Sequence, residues 1–186
     1  MAALKRAIFF LALGFYANFV FGAGALSEAQ VKVAFVYNFA KFTTWPSTAF
    51  STPQSPLILC LIRTNDNAAA VFSAIEGKQA QGRTLQIKRS VRSEDLKACH
   101  ILYVGDADEK STIETLRTLG EAPVLTIADT EGFIHFGGII ELVAADSNIQ
   151  FEVNLDAARH ANISFSAQLL KLSKVVLDSQ AKGRHQ

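Results

Sequence analysis

The stretch VKVAFVYNFAKFTTWP, residues Val31–Pro46, decides the fold of this chain. It predicts a helix that ends at Trp45–Pro46, because proline cannot continue a helix. The helix is apolar on nearly every side, since Lys32, Asn38 and Lys41 do not fall on one polar stripe. A helix of this kind has to be covered on several sides. We therefore expect it to lie deep against a sheet or a partner.

A capping box predicts where this helix begins. Ser27 is followed three residues later by Gln30, and such a pair satisfies two backbone N–H groups at the start of a helix. The first helical residue should therefore be close to Glu28.

The segment before the helix is typical of a secretory signal peptide. Lys5 and Arg6 give it a positive start, Ala7–Phe21 is apolar, and Ala23–Ala25 supplies small residues for cleavage. An uncleaved membrane anchor is the alternative, but the apolar run is short for a span that needs about 20 residues. We favour a signal peptide at residues 1–25 that is cleaved, and a mature protein that is secreted or periplasmic.

Length and composition predict one domain. The chain has 186 residues, of which 49% are hydrophobic, and this is enough for one buried core but not for two large ones. We place a single α/β domain at residues 26–178 and a flexible polar tail at residues 179–186. The formal net charge is +1 and the basic residues are scattered, so no nucleic-acid partner is expected.

Strand-like and helical segments alternate along the middle of the chain. The predicted strands are Leu57–Ile62, Thr84–Lys88, His100–Val104 and Val124–Ala128, and the helices between them are Ala68–Ile75, a short one that opens at Ser93–Asp95, and Ser111–Leu119. Such alternation is typical of a parallel sheet. We predict an α/β fold with a Rossmann-like, mainly parallel sheet flanked by helices.

The last part of the chain departs from this alternation. Ile139–Ala144 and Ile149–Asn154 are predicted strands, joined by four residues into an antiparallel hairpin at one edge of the sheet. Two helices follow, at Leu155–Ala161 and Ser166–Leu177. The second has apolar residues at helical spacing, which we expect to enter the core.

The two cysteines, Cys60 and Cys99, lie in or next to predicted strands. An even number of cysteines in an exported protein suggests a disulfide. If the two strands are neighbours in the sheet, the α carbons can reach bridging distance. Two buried free thiols are the alternative.

Six segments, in the same order along the chain, resemble the YfiR-like family of periplasmic proteins. They are KVAFVYNFAKFTTWP (32–46), LILCLI (57–62), LKACHILYVG (96–105), VLTIAD (124–129), FGGIIEL (136–142) and QFEVNLDAARHANISFSAQLLKLSKVV (150–176). They cover nearly all of the mature chain. The resemblance implies a non-catalytic periplasmic regulator that binds and represses an inner-membrane diguanylate cyclase. Such repression lowers cyclic di-GMP signalling and biofilm formation.

The resemblance also implies a homodimer, redox-sensitive disulfides and sequestration by an outer-membrane lipoprotein. It strengthens the pairing of Cys60 with Cys99. The family is also associated with a second cysteine pair in the later half, and this chain has none there. Some members bind small aromatic or nucleotide ligands, so a periplasmic ligand-binding or sensing module is the alternative function.

Four residues are predicted to bind a partner. Glu141 and Glu152 face each other across the predicted hairpin, and such a pair suggests an acidic docking edge for a basic surface. Two solvated glutamates, or a carboxylate pair for cell-wall glycoside hydrolysis, are the alternatives. The resemblance places Glu152, in the segment FEVN, among regulatory contacts, and Gln150 lies beside that segment. Trp45 can anchor a partner or ligand if it is exposed; a core position is the alternative.

A weaker ligand site is predicted at the carboxyl ends of the parallel strands, where open α/β sheets bind their ligands. Arg63 and Asn65 follow the first strand, and Arg89 follows the second. Arginines beside amide and hydroxyl groups can hold a phosphate or a carboxylate. We therefore assign these three residues as candidate ligand-binding residues.

No catalytic or metal site is predicted. Gly77–Thr84 is close to a P-loop, but it follows a helix and opens a strand, which is the reverse of a P-loop. Gly137–Gly138 lacks the spacing of a dinucleotide-binding motif. The histidines have no metal-ligand spacing, and a nucleophile motif is absent from the sequence. We therefore expect a non-enzyme that uses no cofactor and no metal.

Overall fold

The structure, a computed structural model, describes residues 26–89, 91–145 and 148–179. The predicted signal peptide, the tip of the predicted hairpin at residues 146–147 and residues 180–186 of the predicted tail lie outside the described residues.

The described chain contains five α-helices and ten strands. The helices are α1 (Glu28–Phe42), α2 (Asp66–Phe72), α3 (Glu109–Leu119), α4 (Leu155–His160) and α5 (Ala167–Leu170). The strands are β1 (Thr43–Thr44), β2 (Leu57–Ile62), β3 (Gln79–Ala80), β4 (Arg83–Arg89), β5 (Ile101–Val104), β6 (Leu125–Ala128), β7 (Ile140–Ala145), β8 (Asn148–Asn154), β9 (Ser164–Phe165) and β10 (Val175–Leu177). Short 3-10 helices occupy Ser47–Ala49, Ser73–Ile75 and Ser93–Ala98.

Helix α1 begins where the capping box predicts. The Ser27 hydroxyl accepts a hydrogen bond from the Gln30 backbone N–H, and the Gln30 side chain accepts one from the Ser27 N–H. The helix ends earlier than predicted, because Thr43–Thr44 leaves it to form β1, which pairs with β9. β-branched threonine favours strands over helices.

Eight strands form one sheet in the order β10-β8-β7-β6-β5-β2-β4-β3. The strands β4, β2, β5, β6 and β7 run parallel to one another, in the order of the flavodoxin-like doubly wound fold. Strands β7 and β8 are antiparallel. The predicted Rossmann-like, mainly parallel α/β sheet flanked by helices and containing an antiparallel pair of strands is therefore confirmed.

Helices cover both faces of the sheet. Helix α1 packs on one face together with α2, α4 and α5, and its fully buried Phe39 meets Phe151 of β8 with ring centroids 5.0 Å apart. Helix α3 and the Ser93–Ala98 segment cover the other face around Leu102 and Phe133. The expectation that α1 lies deep against a sheet agrees with this arrangement.

The predicted helix at Ser166–Leu177 is wrong beyond its first turn. Helix α5 is only four residues long, and Val175–Leu177 forms β10, which pairs in parallel with β8. Two adjacent valines favour a strand, and the free edge of β8 offers them backbone partners. Leu169 enters the core as predicted, but Leu172 is 71% exposed. Because β10 lies outside the hairpin, the hairpin is not the last element of the sheet.

Cys60 in β2 and Cys99, just before β5, form a disulfide with their α carbons 5.9 Å apart. Strands β2 and β5 are neighbours in the sheet, which is the condition that the sequence argument required. The predicted pairing is confirmed, and the alternative of two free thiols is wrong.

Two glycines allow close packing where a side chain would collide. A Cβ at Gly105 would lie 2.4 Å from the carbonyl oxygen of Arg63, and a Cβ at Gly138 would lie 2.2 Å from the ring of Phe133. The first contact brings the ends of β2 and β5 together. The second allows the buried ring of Phe133 to pack against the turn that leads into β7.

None of the helices within residues 26–89, 91–145 and 148–179 combines the length and the apolar character that crossing a bilayer requires.

Candidate functional site

A cleft of about 660 Å³ opens at the carboxyl ends of β2 and β5. Strand β4 lies beside β2 toward one edge of the sheet, and β5 lies beside β2 toward the other edge. The strand order therefore reverses between β2 and β5. Open α/β sheets bind ligands at such a point. The lining residues come from the ends of β2, β5 and β6 and include Arg63, Thr64, Asn65, Tyr103, Asp106 and Asp129.

The backbone at the rim of this cleft is tightly constrained. The Gly105 N–H donates a hydrogen bond to the carbonyl oxygen of Ile62 at 2.9 Å. Arg63 has a φ of +52°, a conformation that residues other than glycine seldom adopt and that clusters at functional sites. Asn65 caps α2 by accepting a hydrogen bond from the Ala68 N–H at 2.8 Å. The loop after β2 therefore lies with the Arg63 backbone packed against Gly105.

The floor of the cleft contains a buried tyrosine beside an ion pair. Burial raises the pKa of Tyr103, and the neighbouring Asp129 carboxylate raises it further, so the phenol stays neutral. The Lys32 ammonium lies 2.5 Å from Asp129 and 2.6 Å from Glu28. Burial alone would lower the pKa of Lys32, but these two carboxylates outweigh it and raise that pKa. Helix α1 is thereby tied to the end of β6.

The structure brings two of the three predicted ligand-binding residues together. Arg63 and Asn65 line the cleft. Arg89 lies elsewhere, because its guanidinium donates to the Ala69 carbonyl at 3.0 Å and to the Ser73 hydroxyl at 2.7 Å. Tyr103 could not be identified from the sequence, because it lies within an apolar segment that is typical of a buried strand. Asp129 directly follows a buried strand, and that position was the available signal for it.

The hairpin pairs Glu141 with Glu152 as predicted, but the two side chains have different surroundings. Glu141 is 6% exposed, and its carboxylate accepts hydrogen bonds from the N–H groups of Gly132 at 3.0 Å and Ile134 at 3.3 Å. Glu141 is therefore neither a solvated glutamate nor an exposed docking residue, because the preceding turn folds over it. Glu152 is half-buried and Gln150 is exposed.

Trp45 is a core residue in this structure. It is 8% exposed, and its indole N–H donates to the His100 carbonyl at 3.1 Å. The interpretation of Trp45 as an exposed aromatic is therefore wrong, and the core alternative is the observed position.

His100 holds the loop after Trp45 against the sheet. Its Nδ1 accepts a hydrogen bond from the Ile58 N–H at 3.0 Å, and its Nε2 bonds to the Ala49 carbonyl at 3.0 Å. Its ring stacks on Phe50, with centroids 4.5 Å apart. Because Nδ1 accepts, this arrangement requires the neutral imidazole.

We expect His100 to make the fold less stable at mildly acidic pH. Burial lowers the pKa of His100 below its ordinary value of 6.5, and the charge of Arg83 lowers it further, against the opposing bond to Ala49. The unfolded chain therefore binds this proton first. The stabilising contribution is complete above pH 6.5 and is lost as the pH falls toward the folded-state pKa.

Urea unfolding at pH 7 and pH 5 measures this effect. The free energy of unfolding should fall at pH 5 in the wild type, and His100→Asn should reduce that fall because asparagine keeps an acceptor without titrating. The control His160→Asn, at an exposed position, should keep the wild-type dependence. An unchanged pH dependence in His100→Asn would show that another group is responsible.

Within the described part of the chain, no three His, Cys, Asp or Glu side chains are grouped so that they could hold a metal ion.

Two solved structures have a similar fold. A conserved domain protein from Vibrio cholerae O1 biovar El Tor gives a TM-score of 0.52 at 13% identity, over 81% of this chain and 60% of that chain. The ABC domain in complex with L-Trp from Streptococcus pneumoniae gives a TM-score of 0.50 at 14% identity, over 80% of this chain and 62% of that chain. The chain thus spans about 60% of the length of these structures, and the likeness concerns the fold alone.

A family comparison covers most of the chain. The YfiR/HmsC-like family model matches residues 29–174, which extends from the first turn of α1 to the residue before β10. The match therefore includes the disulfide, the cleft and the hairpin. On this basis, the chain belongs to the YfiR/HmsC-like family.

Proposed function

We propose that this protein is a non-catalytic periplasmic repressor that binds the periplasmic sensing region of an inner-membrane diguanylate cyclase. Membership of the YfiR/HmsC-like family supports a periplasmic regulatory role in general. Repression of the cyclase lowers cyclic di-GMP and biofilm formation. In this proposal the protein is a homodimer. An outer-membrane lipoprotein sequesters this repressor and thereby releases the cyclase from inhibition.

The open face of the hairpin is the observation that carries this proposal. The register pairs Glu141 with Glu152 and Val143 with Gln150, so these four side chains share the sheet face opposite α1. Glu141 is fixed inside, whereas Val143, Gln150 and Glu152 are exposed or half-buried. Two paired strands hold them rigidly. A rigid surface with polar and apolar groups is suited to a protein partner.

Glu152 is the charged residue at the centre of this surface. It lies between Glu141 of β7 and Val175 of β10 in the sheet. Within the described residues its carboxylate takes part in no ion pair. An unpaired carboxylate on a rigid strand can recognise a basic group of the cyclase.

Charge reversal at Glu152 tests the proposal. Glu152→Lys should abolish repression, because it places a cation opposite a basic partner surface. The free energy of unfolding should change by less than about 0.5 kcal/mol, as is usual for surface substitutions. The measurements are cellular cyclic di-GMP and urea unfolding. The control Glu121→Lys, at an exposed position, should repress normally, and full repression by Glu152→Lys would remove this residue from the interface.

The cleft supports a second candidate function, the sensing of a small ligand in the periplasm. Its position at the reversal of strand order and its mixed polar lining are typical of ligand sites in open α/β sheets. A thermal-shift screen against nucleotides and aromatic metabolites tests this function. Stabilisation of the wild type that is lost in Arg63→Gln would support it, and the absence of any stabilising compound would count against it.

A further inference from the structure

A short segment at one edge of the sheet exposes apolar and basic side chains together. Residues 171–176, which we call the edge segment, lead from α5 into β10, the last strand at that edge. Of the four large apolar residues that are exposed within the described ranges, three lie here: Leu172 at 71%, Val175 at 37% and Val176 at 39%. Lys171 and Lys174 beside them are also exposed. In the described chain, neither lysine takes part in an ion pair.

The backbone N–H groups at the exposed turn of the edge segment already have partners within the protein. Those of residues 171–173 donate to carbonyl oxygens of α5 at 3.0 to 3.3 Å. The Lys174 N–H donates to the Phe151 carbonyl of β8 at 2.8 Å, and the Ser173 hydroxyl donates to the Leu170 carbonyl at 2.9 Å. Removing a polar group from water is most costly when it has no hydrogen-bond partner. The turn that carries Leu172 can therefore enter a medium with little water at a small cost.

The acidic groups near the edge segment do not pair with its two lysines. Asp156 and Asp178 both bind the Arg159 guanidinium, Asp178 at 2.9 Å. Glu152 is opposite Val175 in the register, one strand inside the edge. The edge segment itself contains no acidic residue. Its apolar side chains are therefore accompanied by two positive charges that are free to meet an anionic surface.

We propose that the edge segment binds the surface of a phospholipid bilayer that contains anionic lipids. Leu172 and the two valines enter the boundary between the head groups and the acyl chains. The Lys171 and Lys174 ammonium groups bind lipid phosphates, because a lysine can keep its stem in apolar surroundings while its charge stays among the head groups. Apolar burial and attraction to anionic lipids act together in such contacts. This binding goes beyond repression of the cyclase and does not depend on it.

The shape of this edge favours a bilayer over a second copy of the chain or an acidic protein. Val175 and Val176 are adjacent in β10, so their side chains point to opposite faces of the sheet, and Leu172 lies on the turn before them. A bilayer can surround a protruding edge of this kind, whereas a protein partner would need a matching groove. A strand of three residues also offers few backbone groups for pairing with a second copy.

Flotation of the protein, purified from the periplasm, with lipid vesicles tests this proposal. The wild type should bind vesicles of mixed phosphatidylglycerol and phosphatidylcholine, and should bind pure phosphatidylcholine at least about tenfold more weakly. Leu172→Ser and the double variant Lys171→Gln/Lys174→Gln should each weaken binding to the mixed vesicles by about tenfold. The matched control Lys97→Gln/Lys110→Gln removes two exposed lysines from the Ser93–Ala98 segment and α3 and should bind like the wild type. Urea unfolding checks that all variants keep the wild-type stability, as is usual for exposed positions.

Three results would overturn the inference in different ways. No flotation of the wild type with the mixed vesicles, or flotation that Leu172→Ser and the double lysine variant retain in full, would show that the edge segment is not a membrane site. Equal binding to pure phosphatidylcholine would overturn the requirement for anionic lipids. A concentration-dependent dimer in analytical ultracentrifugation that Leu172→Ser abolishes, together with no flotation, would identify a second copy of the chain as the occupant instead.

Discussion

Loss of the Cys60–Cys99 disulfide should lower the free energy of unfolding by about 4 kcal/mol. The bond closes a loop of 39 residues in sequence separation, and its removal returns that loop's conformational freedom to the unfolded chain. A loss of this size is a large share of the stability of a single domain. The bond joins neighbouring strands, so the variant should keep the same fold in the fraction that remains folded.

Urea unfolding of the double variant Cys60→Ala/Cys99→Ala measures this loss. Wild-type protein in dithiothreitol should approach the stability of the double variant. Dithiothreitol should have no effect on the double variant itself, which controls for other actions of the reductant. Equal stability of the oxidised wild type and the double variant would contradict the prediction.

Substitution of Gly138 by alanine should cost about 3 kcal/mol of stability. The added Cβ would lie 2.2 Å from the ring of Phe133, and that ring is fully buried. A buried ring cannot move aside without disturbing its neighbours, so overpacking destabilises the fold. The backbone at Gly138 does not have a positive φ, so the collision with the ring is the whole reason.

A double-mutant cycle separates this collision from a general effect of alanine. Gly138→Ala should cost much less in a Phe133→Leu background, because leucine vacates the space that the ring edge occupies. Chemical denaturation of the four proteins gives the coupling energy. An equal cost of Gly138→Ala in both backgrounds would show that the ring is not responsible.

Local sequence patterns predicted most of the fold. The capping box of Ser27 and Gln30 gave the correct start of α1, and the apolar run Leu57–Ile62 is a strand with the predicted bounds. These features depend on neighbours along the chain. The helical spacing of the apolar residues predicts a helix through Val175–Leu177, whereas the structure has a strand there. This strand conformation depends on pairing with the edge of β8, a tertiary contact that local sequence patterns do not reveal.

The candidate site was predicted in part for a similar reason. Arg63 and Asn65 follow a strand, and strand ends can be read from the sequence. Glu141 was correctly paired with Glu152, but its burial depends on the turn at Gly132 and Ile134, whose path is a tertiary property. Trp45 could be placed in the core or at the surface with equal justification until the position of His100 was known.

The pairing of the first and last elements has a consequence for biogenesis. Helix α1 buries Phe39 against Phe151 of β8, and β1 pairs with β9. The first elements of the domain therefore pack against elements from its C-terminal part. Because a polypeptide is synthesised from its N-terminus, α1 is present long before β8 and β9 have been made. Its apolar surface then needs a holding chaperone, and truncated chains that end before β8 should be degraded or aggregate.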